Sequence, residues 1–191
     1  RYLDWHLVLS MNDSGFFESG LNQNREGNVT TFALNPARGV GIAPGMYDFN
    51  EYFALYRSNN AARFSYETRV STGDFYNGHR NGYAFAPSVR VNEHLNGSLS
   101  VQINDIDLPT RSYVSTLVAM RLNYSVNTTV FLNGLVQYNA DTQLWSSNVR
   151  LNVIHRPLSD FFLVYNERRL GNTGALVDRS LVAKFTYLFA F

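Results

Sequence analysis

The sequence predicts an all-β chain, an antiparallel up-and-down transmembrane β-barrel built as a meander with about eleven visible strands. Three observations lead there. Stretch after stretch alternates apolar and polar residues with period two, the signature of a strand with one apolar face. Aromatic residues make up 15% of the 191 residues while charged residues make up only 16%, against about 25% in an average soluble domain. Aromatics together with Asn, Ser, Gly and Thr suit strands and turns. Finally, the alternating stretches have the ~9–11 residues that a membrane-crossing strand needs, and no run approaches the ~20 apolar residues of a membrane helix. A negative mean hydropathy is no obstacle, because a barrel hides its apolar half by alternation and satisfies its backbone between strands.

The elements follow in order. Tyr2 to Asn12 sets Leu3, Trp5, Leu7, Leu9 and Met11 against Asp4, His6, Val8 and Ser10, and Asn12 to Gly15 is a tight turn. Phe16 to Arg25 returns. Residues 26–45, with Pro36, Pro44 and several glycines, form a long extracellular excursion holding an extended piece at Val29 to Leu34. Met46 to Arg57 is a strand whose two faces are not distinguished by alternation. Strands follow at Ala62 to Thr72, Asn81 to Val91, Leu95 to Asn104, Ser112 to Tyr124, Thr128 to Tyr138, Leu144 to His155 and Asp160 to Asn166. In most of these an apolar row (Tyr83, Phe85, Val89; Leu99, Val101, Ile103; Val149, Leu151, Val153) opposes a polar one (Ser88, Arg90; Ser98, Gln102; Asn148, Arg150, Asn152).

The last strand, Ser180 to Phe191, places Leu181, Ala183, Phe185, Tyr187, Phe189 and Phe191 on one face and Val182, Lys184 and Thr186 on the other. Short turns at Ser58, Asn92, Ser125 and Pro157 are expected at one end. Longer loops at Glu26, Gly73, Asp105, Asn139 and Glu167 are expected at the other, the sidedness of outer-membrane barrels. Single-chain bacterial barrels have even strand numbers, so eleven points to upstream strands outside this sequence or to one miscounted strand.

The terminal pattern Ala183, Phe185, Tyr187, Phe189, Phe191 resembles the C-terminal signal of bacterial outer-membrane proteins. That resemblance implies recognition by the barrel-assembly machinery and residence among outer-membrane lipid. Leu3-Asp-Trp5, Gly41-Ile-Ala-Pro-Gly-Met-Tyr47, Val136-Gln-Tyr-Asn139, Ser147-Asn-Val-Arg150, Arg156-Pro-Leu-Ser-Asp160 and Phe162-Leu-Val-Tyr-Asn-Glu167 carry a second resemblance. They are similar, in order, to the C-terminal region of unknown function of large bacterial outer-membrane proteins that carry an N-terminal family-9 carbohydrate-binding-like module. It implies that residues 1–191 are the C-terminal part of a barrel domain, with upstream strands and a soluble N-terminal domain beyond this sequence. It implies no catalytic residues.

Arg69, Arg90, Arg121, Arg150 and Lys184 fall on polar faces and are candidates for a lumen-facing basic band, alongside Asp4 and Glu67. Charged rings set pore selectivity, so the band would favour small anions or acidic saccharides. The competing reading pairs these cations with lumenal carboxylates or with an inward-folded segment. Trp145, Tyr138 and Phe75 are expected at the outer rim, as an interface girdle or a sugar-stacking platform. His6, His79, His94 and His155 are scattered, with no His-x-x-x-His or carboxylate cluster that suggests a metal, and no cofactor is implied. His79 with Asp74 is the histidine placed for a Ser-His-Asp hydrolase site in an extracellular loop. There is no basic block, so nucleic acid is not an expected partner. The expected function is that of a non-enzymatic channel, or a barrel that anchors a carbohydrate-binding-like module at the envelope. The alternatives are an outer-membrane hydrolase with a rim site and a structural subunit with envelope-complex partners.

Overall fold

Asparagine side chains make the turns at one end of the sheet. The Asn92 carboxamide oxygen accepts from the backbone N–H groups of His94 and Leu95, and that of Asn127 accepts from Thr129 and Val130. Asn59 does the same for Ala61, and Asp13 for Gly15. These are Asx turns, in which a short polar side chain mimics a backbone carbonyl and reverses the chain. Between the turns the chain runs in long strands. The computed structural model describes residues 2–188. The strands are β1 (Tyr2–Ser10), β2 (Phe16–Asn28), β3 (Phe32–Asn35), β4 (Val40–Ile42), β5 (Gly45–Arg57), β6 (Phe64–Phe75), β7 (Gly78–Arg90), β8 (Leu95–Leu108), β9 (Arg111–Ser125), β10 (Val130–Asn139), β11 (Leu144–Arg156), β12 (Ser159–Leu170) and β13 (Leu176–Thr186).

The eleven long strands form one sheet in the order β1-β2-β5-β6-β7-β8-β9-β10-β11-β12-β13, and β3 and β4 form a separate two-stranded hairpin. The ladders β1–β2, β2–β5, β5–β6, β10–β11, β11–β12 and β12–β13 are antiparallel, from Tyr2↔Asn24 in the first to Asp160↔Thr186 in the last. This is the all-β antiparallel meander of eleven strands that the alternation predicts.

The loops expected at the other end are mostly not loops. β6 and β7 continue until only Tyr76 and Asn77 separate them, and β8 and β9 until only Pro109 and Thr110 remain. β12 runs to Leu170 and β13 starts at Leu176, so the loop expected from Glu167 to Arg179 shrinks to residues 171–175. The difference in length between the two ends, used to assign sidedness, therefore survives only at residues 29–44. Alternation stops where both faces of a strand meet the same surroundings, but a ladder needs only a partner strand, so pairing continues past the point where the pattern fades.

The chain divides into two compact units. The first comprises residues 1–87, 101–117 and 140–142, and the second residues 88–100, 118–139 and 143–191. In the first unit, register resolves the ambiguous strand β5. Glu51, Phe53, Leu55 and Arg57 share a face with Asn22, Gly20, Glu18 and Phe16 of β2 and with Gly73, Ser71, Arg69 and Glu67 of β6. Met46 and Tyr52 lie on the opposite face, with 64% and 57% of their surface exposed. Opposite Asp4, His6 and Val8, the β1 residues Leu3, Trp5, Leu7 and Leu9 are likewise exposed. In the second unit one face carries Asn133, Asn148, Arg150, Asn166, Val182 and Lys184. The other carries Leu132, Val149, Leu151, Leu163, Leu181 and Phe185.

A small cluster of buried side chains lies in the first unit, apart from the buried Phe53 and Leu55 of β5. Val40 and Ile42 of the hairpin pack against Ile106, Leu108 and Tyr113, with Leu34, Tyr47, Phe75 and Tyr76 around them. The expected free excursion is thus a folded hairpin laid on the sheet. Its turn is written in Asn35-Pro36-Ala-Arg-Gly39. Asn35 Oδ1 accepts from the Arg38 N–H at 3.2 Å, Pro36 opens a short 3-10 turn, and Gly39 closes it at φ +66°. A left-handed residue at that position favours glycine.

Candidate functional site

The charged face of the first unit is tied together around Glu51. Arg80 Nη2 donates to Glu51 Oε1 at 2.6 Å, and Arg69 Nη2 lies 3.9 Å from Glu51 Oε2. Asn22 donates to the same carboxylate at 3.3 Å. Each arginine also lies over a phenyl ring, Arg69 at 4.0 Å from the Phe53 centroid and Arg80 at 4.6 Å from that of Phe75. Ring and carboxylate together hold the flat guanidinium groups in fixed orientations. Two cations against one anion leave one positive charge. Ser71, Gly82, Gln102 and Asn104 complete a polar groove of about 270 Å³ beside them. Nearer the asparagine-turn end, Arg57 pairs with Glu67 at 2.6 Å, and His6 bridges Glu18 at 2.6 Å and Asp4 at 3.3 Å.

The hairpin meets this face at the opposite end and is pinned by polar bonds. Arg38 Nε lies 3.2 Å from Asp141 Oδ1, Ser115 Oγ donates to the other Asp141 oxygen at 2.6 Å, and Arg111 donates to the Arg38 carbonyl at 2.9 Å. Arg38 also lies over the Tyr113 ring. At the β6–β7 turn Tyr76 donates from its hydroxyl to Glu26 Oε2 at 2.9 Å. Burial first, and that hydrogen bond second, push the Tyr76 phenol up to about 12.

In the second unit a groove of about 340 Å³ is lined by Gln137, Ser146, Asn148, Asn166, Arg168, Asp178 and Ser180. Arg168 and Asp178 form a fork-on-fork ion pair across β12 and β13. Asn166 donates to Ser180 Oγ at 3.2 Å and accepts from Asn148. Such a row of amides and hydroxyls offers donors and acceptors to a hydroxyl-rich solute without fixing its charge.

Of the proposed basic band, Arg69 is drawn to Glu51 and Phe53, so the pairing alternative holds for it. Arg121, Arg150 and Lys184 are exposed and have no carboxylate within 4 Å among the described residues. Arg150 lies 5.8 Å from the Phe162 ring centroid and Lys184 stands opposite Phe162 in the β12–β13 register. Arg90 ends β7 and is exposed. Of the five candidates, Arg121, Arg150 and Lys184 thus lie in the second unit, Arg90 ends β7, and Arg69 shares Glu51 with Arg80. Sequence reading missed Glu51, Arg80 and the Arg38–Asp141 pair. The signal for Glu51 was the odd-numbered row of β5, which mixes Phe49 and Phe53 with it.

The rim aromatics separate. Tyr138 and Trp145 pair on the apolar face at 4.8 Å between centroids. Phe75 does not join them. It lies on the Glu51 face, under Arg80 and against Phe49 and Tyr76. His79 is in strand β7 rather than a loop, and its Nε2 lies 3.2 Å from both Thr72 Oγ1 and Asn81 Oδ1. Those neighbours are neither the serine nor the carboxylate of a Ser-His-Asp site. Among the described residues no cluster of His, Asp and Glu is arranged to hold a metal ion. Of the terminal pattern, Ala183, Phe185 and Tyr187 are described. Phe185 and Tyr187 stack at 6.3 Å, and Arg156 donates to the Tyr187 hydroxyl. Phe189 and Phe191 lie outside the described residues.

No protein-family model and no curated protein matches the chain. Two solved structures are similar over nearly the whole length. One is described as "KdgM porin", with 10% identity, 99% of this chain and 92% of that chain covered and a TM-score of 0.37. The other is "KdgM porin in complex with disordered oligogalacturonate", with 13% identity, full coverage of both chains and a TM-score of 0.37.

Proposed function

We propose that the chain is the wall of an outer-membrane barrel that passes polar, hydroxyl-rich or anionic solutes. The observation that carries the reading is the inverted arrangement of the sheet. Its apolar rows, from Leu3, Trp5 and Leu7 to Leu181 and Phe185, are exposed, while its charged rows hold paired arginines and carboxylates. A water-soluble sheet buries its apolar face; a sheet with lipid on one side and water on the other does the reverse. Strands of 9 to 15 residues meet the length needed to cross at a tilt. Arg121, Arg150 and Lys184 favour anions on the wet side.

The reading is tested in planar bilayers. Arg121→Glu together with Arg150→Glu moves the reversal potential toward cations, and Glu51→Gln, which leaves Arg69 and Arg80 uncompensated, moves it toward anions. Reversal potentials unchanged in both variants would refute a conducting path lined by these residues. A role as envelope anchor for a carbohydrate-binding-like module rests on the sequence resemblance and is favoured if folded protein shows no conductance.

A further inference from the structure

The apolar face of the second unit ends in charge. Along β12 its residues read Phe161, Leu163 and Tyr165, then Glu167 and Arg169; along β13 they read Phe185, Ala183 and Leu181, then Arg179. Glu167 stands opposite Arg179, and Trp145 of β11 stands opposite Arg169. The group is built rather than scattered. Tyr165 and Arg169 both donate to the Glu167 carboxylate, and Arg169 Nη1 donates to the Gly174 carbonyl at 3.1 Å. Glu167 is largely covered, at 15% side-chain exposure, while Arg169 stays open at 46%. The Nη2 group of Arg169 takes part in neither of these two bonds.

We propose that Arg169 and Arg179 form a seat for a phosphate-bearing lipid headgroup at the border of the membrane-facing surface. This rests on the membrane reading above. An arginine on the lipid face is far costlier at the bilayer midplane than near the interface, so charges at successive positions of one face mark the interface level. The Tyr138–Trp145 pair beside Arg169 marks the same level, where aromatic belts sit. Two guanidiniums against one carboxylate leave a net positive charge, and guanidinium groups bind phosphate oxygens in pairs. Lipid is favoured over a free anion by continuity. The seat opens directly onto Val149, Leu163, Leu181 and Phe185, where acyl chains would lie.

The test uses the full chain refolded into phosphatidylcholine nanodiscs, with or without a minor fraction of the diphosphorylated glycolipid lipid A or its dephosphorylated form. Lipid retention is read by native mass spectrometry. The wild type retains the phosphorylated lipid preferentially, and Arg169→Gln with Arg179→Gln lowers that retention roughly tenfold or more. Arg169→Lys with Arg179→Lys, which keeps the charge, restores part of it. A heat-shift gel confirms that each variant is folded. Insertion without preference for the phosphorylated lipid, or equal retention by the glutamine variant, overturns the seat alone. Displacement of the lipid by inorganic phosphate overturns the lipid assignment in favour of a free-anion site. Failure of the wild type to enter phosphatidylcholine nanodiscs overturns the membrane reading and the seat with it.

Discussion

Replacing Ile42 by alanine should release the β3–β4 hairpin from the charged face of the first unit. Ile42 is 2% exposed and packs with Val40, Ile106, Leu108 and Tyr113. The truncation removes three carbon groups, at about 0.8 kcal/mol each in transfer, and leaves a cavity that brings such losses to about 2–5 kcal/mol. The remaining hold is modest. The Arg38–Asp141 pair is partly exposed, at 32% and 18%, and pairs of that kind contribute about 0–1 kcal/mol. A loss of about 3 kcal/mol raises the open fraction roughly a hundredfold, at about 1.4 kcal/mol per tenfold. Arg38 itself supplies the assay, because trypsin cuts after it. When reclosing outpaces cleavage, the rate tracks the open population. Cleavage between Arg38 and Gly39 should therefore accelerate roughly a hundredfold, while the heat-shift of the folded sheet stays as it was. Val29→Ala, at a position 93% exposed, should change nothing. A cleavage rate in Ile42→Ala equal to that of the wild type, with the fold intact, would refute the packed hairpin.

Other expectations follow from single positions. At Gly73 an added Cβ would lie 2.1 Å from the Asn50 carbonyl oxygen and 2.8 Å from the Glu51 Cα. Gly73→Ala should therefore force β5 and β6 apart and cost about 1–3 kcal/mol, seen as a lower urea midpoint; an unshifted midpoint contradicts the close approach. Tyr76 should titrate at about 12, against about 10 for a free phenol. Because the folded value is raised, its contribution to stability is complete below about pH 10 and is lost as pH rises toward 12, where the unfolded chain releases its proton first. Glu26→Gln should lower the titration, read as phenolate absorbance against Tyr76→Phe; no change would mean that the Glu26 bond does not matter. Asp178→Asn should loosen Arg168 and shift selectivity toward anions, which reversal potentials would detect.

Alternation and turn chemistry determined most of the fold from the sequence alone. Leu3-Asp-Trp-His-Leu could be assigned its faces by reading, because period two reports which side is apolar. Asn92 and Asn127 announced their turns because the side chain itself makes the bonds. Only the tertiary structure decided what depends on partners distant in sequence. The ladders of β6–β7 and β8–β9 run past the apolar rows because hydrogen bonds to a neighbour need no pattern of their own. Phe49 and Phe53 face the charged side because register with β2 places them there, where Arg69 and His6 lie against Phe53 and the Phe75 and Tyr76 rings against Phe49. Residues 29–44, irregular and rich in glycine and proline, read as an excursion because no local signal says where Val40 and Ile42 are buried. Their burial requires Ile106, Leu108 and Tyr113, brought close by pairing rather than by sequence. The identity of the charged residues was thus set locally, but their pairing was set by contacts across strands: Arg69 and Arg80 close on Glu51, while among the described residues Arg121, Arg150 and Lys184 have no carboxylate within 4 Å.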